Sequence, residues 1–185
     1  MYWCNFLKSY KLLCSALLCI SVLASCRPDV HESAGSKRYF DLKGFINADS
    51  TRLNRAHILV TKTVEHNNEG VQTKKITITN WAQELGAFSA SDINKPAWRD
   101  GYAIKQAGDS VIYTAIQPEL ITRRMVIWQA GKEVKKIHIE NFTQNLLYQT
   151  TEHLVYYPDS LYVIDKLQKV KLLGSNRYVV KGLMK

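Results

Sequence analysis

Cysteine is missing from residues 27–185, and that absence excludes a good deal. This part of the chain can hold no internal disulfide, whatever its redox compartment, and no metal site built on thiolates. Its fold must rest on a hydrophobic core. The chain also falls short of a membrane-spanning helix. Its apolar stretch from Leu12 to Ser25 runs for 14 residues, against the roughly 20 that a bilayer requires. No HExxH pair, Gly-rich phosphate loop or EF-hand pattern occurs. There is no internal repeat and no low-complexity tract, and no acidic residue precedes Asp29.

What is there begins with an address. Lys8 and Lys11 lead into "LLCSALLCISVLAS", which ends in small residues. A basic start, a short apolar middle and a small-residue end describe a secretory signal peptide. Leu23-Ala24-Ser25-Cys26 then resembles the lipobox of bacterial lipoproteins. That resemblance implies that the Cys26 thiol is acylated, that residues 1–25 are removed, and that Cys26 becomes the lipidated N-terminus. Cys4, Cys14 and Cys19 would leave with the signal. The competing readings are an ordinary cleaved signal with a chance cysteine, or an uncleaved anchor. "RPDVHESAGSK" follows without apolar periodicity and reads as a flexible tether. The expected organisation is a signal peptide over 1–25, a lipidated N-terminus and tether over 26–37, and one β-rich globular domain over 38–185.

The whole chain carries a formal net charge of +9. Without Lys8 and Lys11, 23 basic residues face 16 acidic ones, so the exported part carries +7. A basic surface favours anionic lipid headgroups or nucleic acid, and export argues against nucleic acid as a partner. The basic pairs Lys74-Lys75, Arg123-Arg124 and Lys135-Lys136 are scattered, as on a solvated surface.

Tyr39, Leu42, Ile46 and Leu53 recur at helical spacing and predict a helix over about 38–55. Asn80 and Gln83 form a capping box ahead of Trp81, Leu85 and Phe88, predicting a second, shorter helix that Pro96 stops. Nearly everything else is β-branched or aromatic runs separated by "NNEG", "AGD", "GK", "PDS" and "GSN". Such short links favour antiparallel neighbours. The expected fold class is α+β: a curved, half-barrel-like antiparallel β-sheet of about eight or nine strands with two helices packed on it.

Candidate chemistry is sparse. Gly108-Asp109-Ser110 resembles the nucleophile motif of one group of esterases, but it lies between two strand-like runs where Gly and Asp form a turn. His138 and Glu140, two apart on a strand, share a face; Lys136 shares it too and opposes a metal ion electrostatically. Glu152 and His153 should point to opposite faces. No catalytic residue, metal site or cofactor is expected. Trp98 and Arg99, in "SDINKPAWRDGY", form a candidate recognition patch, since both residue types are enriched at binding hot spots. The alternative role for Trp98 is to close one end of the core.

"SDINKPAW", "YPDSLYVI" and "LLGSNRYVV" together resemble uncharacterised envelope lipoproteins of Bacteroidota. The resemblance implies a Gram-negative envelope and supplies no catalytic motif. "RPDVHES" holds only Asp29 and Glu32, short of the acidic run that sends such proteins to the cell surface, which implies periplasm-facing attachment to the outer membrane. The expected function is a non-catalytic, lipid-anchored binding or structural accessory. It would be held to the membrane through acylated Cys26, with an envelope protein or a lipid as partner. The alternative is a lipid- or lipoprotein-handling half-barrel, by analogy with periplasmic lipoprotein carriers.

Overall fold

The computed structural model describes residues 37–67 and 69–185. The signal segment, Cys26 and all but the last residue of the tether lie outside the described residues. The described part is an α+β fold: a single nine-stranded antiparallel sheet, not closed into a barrel, with helices on one face.

Helix α1 (Leu42–Ala56) buries Leu42, Ile46, Asp49, Ser50 and Leu53, the stripe that helical periodicity places on one side. It starts later than the apolar spacing predicts. Asp41 accepts a hydrogen bond from the Gly44 N–H at 2.8 Å and fixes the N-terminus there. Tyr39 therefore precedes the helix, although it belongs to the core; its ring meets Tyr102 and Tyr113 edge-on at 5.6 and 5.8 Å. His57, in the left-handed conformation, ends α1.

The second helix is two short ones, α2 (Trp81–Glu84) and α3 (Gly86–Ala90), so among the described residues three α-helices stand where two were expected. Asn80 caps α2 by accepting from the Gln83 N–H at 3.0 Å. Leu85, at φ −92° and ψ 13°, breaks the run just before Gly86. Pro96 opens a 3-10 turn, Pro96–Trp98.

The strands are β1 (Leu59–His66), β2 (Val71–Thr77), β3 (Tyr102–Ala107), β4 (Ser110–Ala115), β5 (Thr122–Ala130), β6 (Glu133–Gln144), β7 (Tyr148–Tyr157), β8 (Leu161–Val170) and β9 (Gly174–Met184). Their order is β2-β1-β9-β8-β7-β6-β5-β4-β3. Strands β3 to β9 form an unbroken meander, and the early hairpin β1–β2 joins it through β9. Edge strand β2 is exposed along its whole length and carries Lys74 and Lys75, which discourages pairing with another chain.

Alternation sets the two faces. Val60, Met125, Ile127, Ile137, Ile139, Leu154, Tyr156 and Tyr162 point to the helices and join Trp81, Leu85 and Phe88 in one core. Gly182 lies opposite Tyr162 on this face, and a Cβ there would sit about 2 Å from the ring carbons of Tyr162. Only glycine leaves room for that ring.

Two hairpin tips differ from the expected turns. Asn145 accepts from the backbone N–H groups of Leu147 and Tyr148, both at 2.8 Å, and so turns the chain between β6 and β7. Between β8 and β9 the turn falls at residues 171–173, with Leu172 at φ 70° and Gly174 at φ 88°. "GSN" thus begins β9, while Leu146, Leu147, Leu172 and Leu173, expected in strands, occupy the tips.

Candidate functional site

The helices do not cover the whole inner face. Beyond them, cross-strand register sets Asn141, Glu152, Lys166, Tyr178 and His66 side by side on β6, β7, β8, β9 and β1. Lys166 Nζ pairs with Glu152 Oε1 at 3.0 Å. Asn141 Nδ2 donates to Glu152 Oε2 at 3.2 Å and to Ser91 Oγ at 2.8 Å. The His66 and Tyr178 rings stack 4.4 Å apart, and Tyr178 is exposed.

A cleft of about 170 Å³ opens in this row, lined by Asn141, Thr143, Tyr148, Thr150, Glu152, Lys166 and Gln168. Its size decides what it suits: small-molecule pockets run from about 300 Å³, so the cleft fits a polar group of a larger partner. Asn141 is only 5% exposed, yet its Oδ1 has no hydrogen-bond partner among the described residues. A buried acceptor left unpaired costs about 1–3 kcal/mol.

The dry part of the same face is held by tyrosine–carboxylate contacts. Tyr156 donates to buried Asp49, which also accepts from Arg52 Nε at 2.8 Å. Tyr162 donates to Glu84 at 2.6 Å, and Lys62 pairs with the same carboxylate at 2.6 Å. Burial, reinforced by the neighbouring carboxylates, pushes both phenols well above their usual range, so they remain donors. The Thr122 hydroxyl donates to the Ser91 carbonyl at 3.1 Å, tying the end of α3 to β5. These contacts fasten the helices beside the cleft.

On the outer face, His138, Glu140 and His153 bring one donor atom each within 4.8 Å of one another. Glu140 lies opposite His153 across β6 and β7, a partnership that only the register discloses. Burial lowers the His138 pKa below its ordinary value, which suits a neutral imidazole ligand. The surroundings work against a cation: Arg124 lies 3.5 Å from Glu140, although the Lys136 ammonium is drawn aside over the Trp128 ring at 4.6 Å. Glu152 and His153 do face opposite sides.

The remaining sequence candidates separate. Trp98 is half-buried against the core rim with Lys95 Nζ 3.9 Å from its ring centroid, while Arg99 is exposed. The Arg99 carbonyl accepts from the Tyr39 hydroxyl at 2.7 Å. Asn94 ties the preceding turn, accepting from the Tyr39 N–H at 3.1 Å and donating to the Phe40 carbonyl at 2.9 Å. Ser110 donates to the Ala107 carbonyl at 2.8 Å within the β3–β4 turn. Cys26 lies outside the described residues. Sequence reading missed the cleft, although a signal existed: "QTTEH" is polar on both faces and "DKLQK" holds Leu167 as its one apolar residue, unlike the half-apolar strands beside them.

No family model matches the chain, and neither the curated proteins nor the solved structures contain a match.

Proposed function

We propose that this chain is a non-catalytic, lipid-anchored protein of the outer membrane, periplasm-facing, that uses the open polar part of its inner face to bind another envelope component. The polar cleft lined by Thr143, Glu152, Lys166 and Gln168 carries the recognition half of this reading. The sequence Leu23-Ala24-Ser25-Cys26 carries the anchoring half. An anchored accessory needs a polar surface that its helices leave open, and the row from Asn141 to His66 supplies one. It offers both donors and acceptors, with an exposed aromatic ring alongside. The partner expected there presents a protruding polar group.

The lipid-handling alternative asks for apolar space between helices and sheet. Trp81, Phe88, Tyr156 and Tyr162 occupy that region and are fully or almost fully buried, which favours the accessory role. Two measurements test the proposal. Full-length chain from a Gram-negative host should carry acyl mass on Cys26 and pellet with membranes, and Cys26→Ser should lose both. A photo-crosslinker at Gln168 should capture the same envelope neighbour in repeated preparations, while one at Thr151 on the outer face should not. Equal capture from both faces, or stoichiometric lipid in solvent extracts of the purified chain, would overturn the accessory reading.

A further inference from the structure

The two ends of the sheet are built from the same kind of tight hairpin, yet their tips differ in chemistry. At one end the turns between β3 and β4, β5 and β6, and β7 and β8 centre on Gly108-Asp109, Gly131-Lys132 and Pro158-Asp159-Ser160. At the other end the β1–β2 turn is polar, with Asn67 and Glu69, but the β6–β7 and β8–β9 tips hold Leu146, Leu147, Leu172 and Leu173, which are 83%, 69%, 104% and 82% exposed. Ile116 and Ile121, also exposed, lie at the same end, on the β4–β5 connection.

Nothing in the fold asks for leucine at these tips. The side chains make no core contact, and Leu172 occupies a left-handed conformation (φ 70°) that Gly or Asn would adopt more readily. The tips nevertheless stand together: the Lys171 N–H donates to the Leu147 carbonyl at 2.9 Å, bracing one hairpin against the next. The exposed side chains of Lys169 and Lys171 flank the second tip. Clustered exposed leucines edged by lysine are the elements of an interfacial membrane contact, with apolar groups below the headgroups and cations among anionic ones.

The place where the described chain starts points the same way. Arg38 pairs with Asp100, and Tyr39 donates to Arg99, just before β3 begins. That is the end of the sheet that carries the leucine tips. The segment from Cys26 to Ser36 therefore joins the domain at this end, and its eleven residues span at most about 40 Å.

We infer that the Leu146-Leu147 and Leu172-Leu173 tips dock the domain onto an anionic lipid bilayer surface. The orientation rests on the anchoring proposed for Cys26; the contact itself does not. Among the described residues no helix is long and apolar enough to cross a membrane, and this contact is peripheral. Docked this way, the sheet stands on its leucine end with the β3–β4, β5–β6 and β7–β8 turns furthest from the lipid.

The test uses residues 27–185, because every core residue lies between Tyr39 and Met184. This chain, which lacks the lipid cysteine, should float with vesicles of phosphatidylethanolamine and phosphatidylglycerol. Replacing all four tip leucines by serine should lower the partitioning at least about tenfold, and Lys132→Glu at the opposite end should not lower it. Circular dichroism melts establish that each variant folds. Because residues 27–185 contain no cysteine, Leu172→Cys and Lys132→Cys can each carry a single polarity-sensitive dye. The first dye should shift to the blue on vesicle addition and the second should not. Failure of the unaltered chain to float, flotation of the four-serine variant at the same level, or equal dye shifts would overturn the inference. A tip-mediated dimer that ignores vesicles would also overturn it. Acylation of Cys26 is read separately, by mass on the full-length chain, so failure of the anchor and failure of the docking surface are distinguishable.

Discussion

The inner and outer faces of this sheet are made by the same strands, yet they handle charge in opposite ways. On the inner face, carboxylates at Asp49 and Glu84 accept from tyrosine hydroxyls and are shielded by helices. On the outer face, Asp165 meets the Arg177 guanidinium through two hydrogen bonds at 2.9 and 2.7 Å, largely in solvent. The lesson concerns what each pair is for. The Asp49 and Glu84 pairs are under the helices, where an unpaired partner is costly; the Asp165–Arg177 pair can exchange protein for water at little loss.

The largest effect that this contrast predicts lies where the helices meet the sheet. Phe88→Ala should destabilise the fold by about 3–5 kcal/mol in a denaturant titration; a loss below 1 kcal/mol would mean that the helices are not part of the core. Gly182→Ala drives a methyl group into the Tyr162 ring and should cost about 1–3 kcal/mol. Tyr162→Phe keeps the ring and removes the donor to Glu84, for an expected loss of about 1–2 kcal/mol. If that variant is as stable as the parent, the inner and outer pairs are energetically alike and the comparison fails.

The outer face should respond least. Asp165→Asn is expected to leave the melting midpoint at neutral pH almost unchanged. The hydrogen bonds from Arg177 hold the Asp165 carboxyl below its ordinary value. Its small contribution is therefore present above pH 4 and fades as the pH falls through the lowered folded value. His138 gives the companion test in a higher range. Burial holds its folded pKa below 6.5. Below pH 6.5 the unfolded chain takes up a proton that the folded chain refuses, so stability decreases as the pH falls through this range. The decline ends once folded His138 also titrates. An imidazole titration by NMR should place His138 below an ordinary histidine; a midpoint above 6.5 would mean that Glu140 governs the site instead.

Much of the fold was legible because alternation and turn chemistry act locally. The nine apolar runs, the Asn80 cap and the inward set around Ile137 and Ile139 can all be read from residues a few positions apart. The start of α1 was misplaced because Tyr39 fits helical spacing while serving the core from the preceding loop. The leucine tips were misplaced because apolar residues beside a strand resemble more strand. At the β6–β7 tip a single side chain, Asn145, decides where the chain turns. The cleft was illegible for a different reason: Asn141, Glu152 and Lys166 become neighbours only through register, which depends on the entire meander. The anchor is the converse case, a short linear pattern at Cys26 that needs no fold to be read.

The pairing of β1 with β9 joins residues 60–66 to residues 178–184. A ribosome makes those partners at opposite ends of the domain. Loop closure over such a separation is slow, and the edge of β1 waits unpaired while it happens. The hairpin β1–β2 can form early, but its place in the sheet exists only after the last strand has been made. The domain therefore completes its sheet only after its final strand is available, and a nascent chain stopped before Gly174 presents two open edges, on β1 and β8, that the finished protein never exposes.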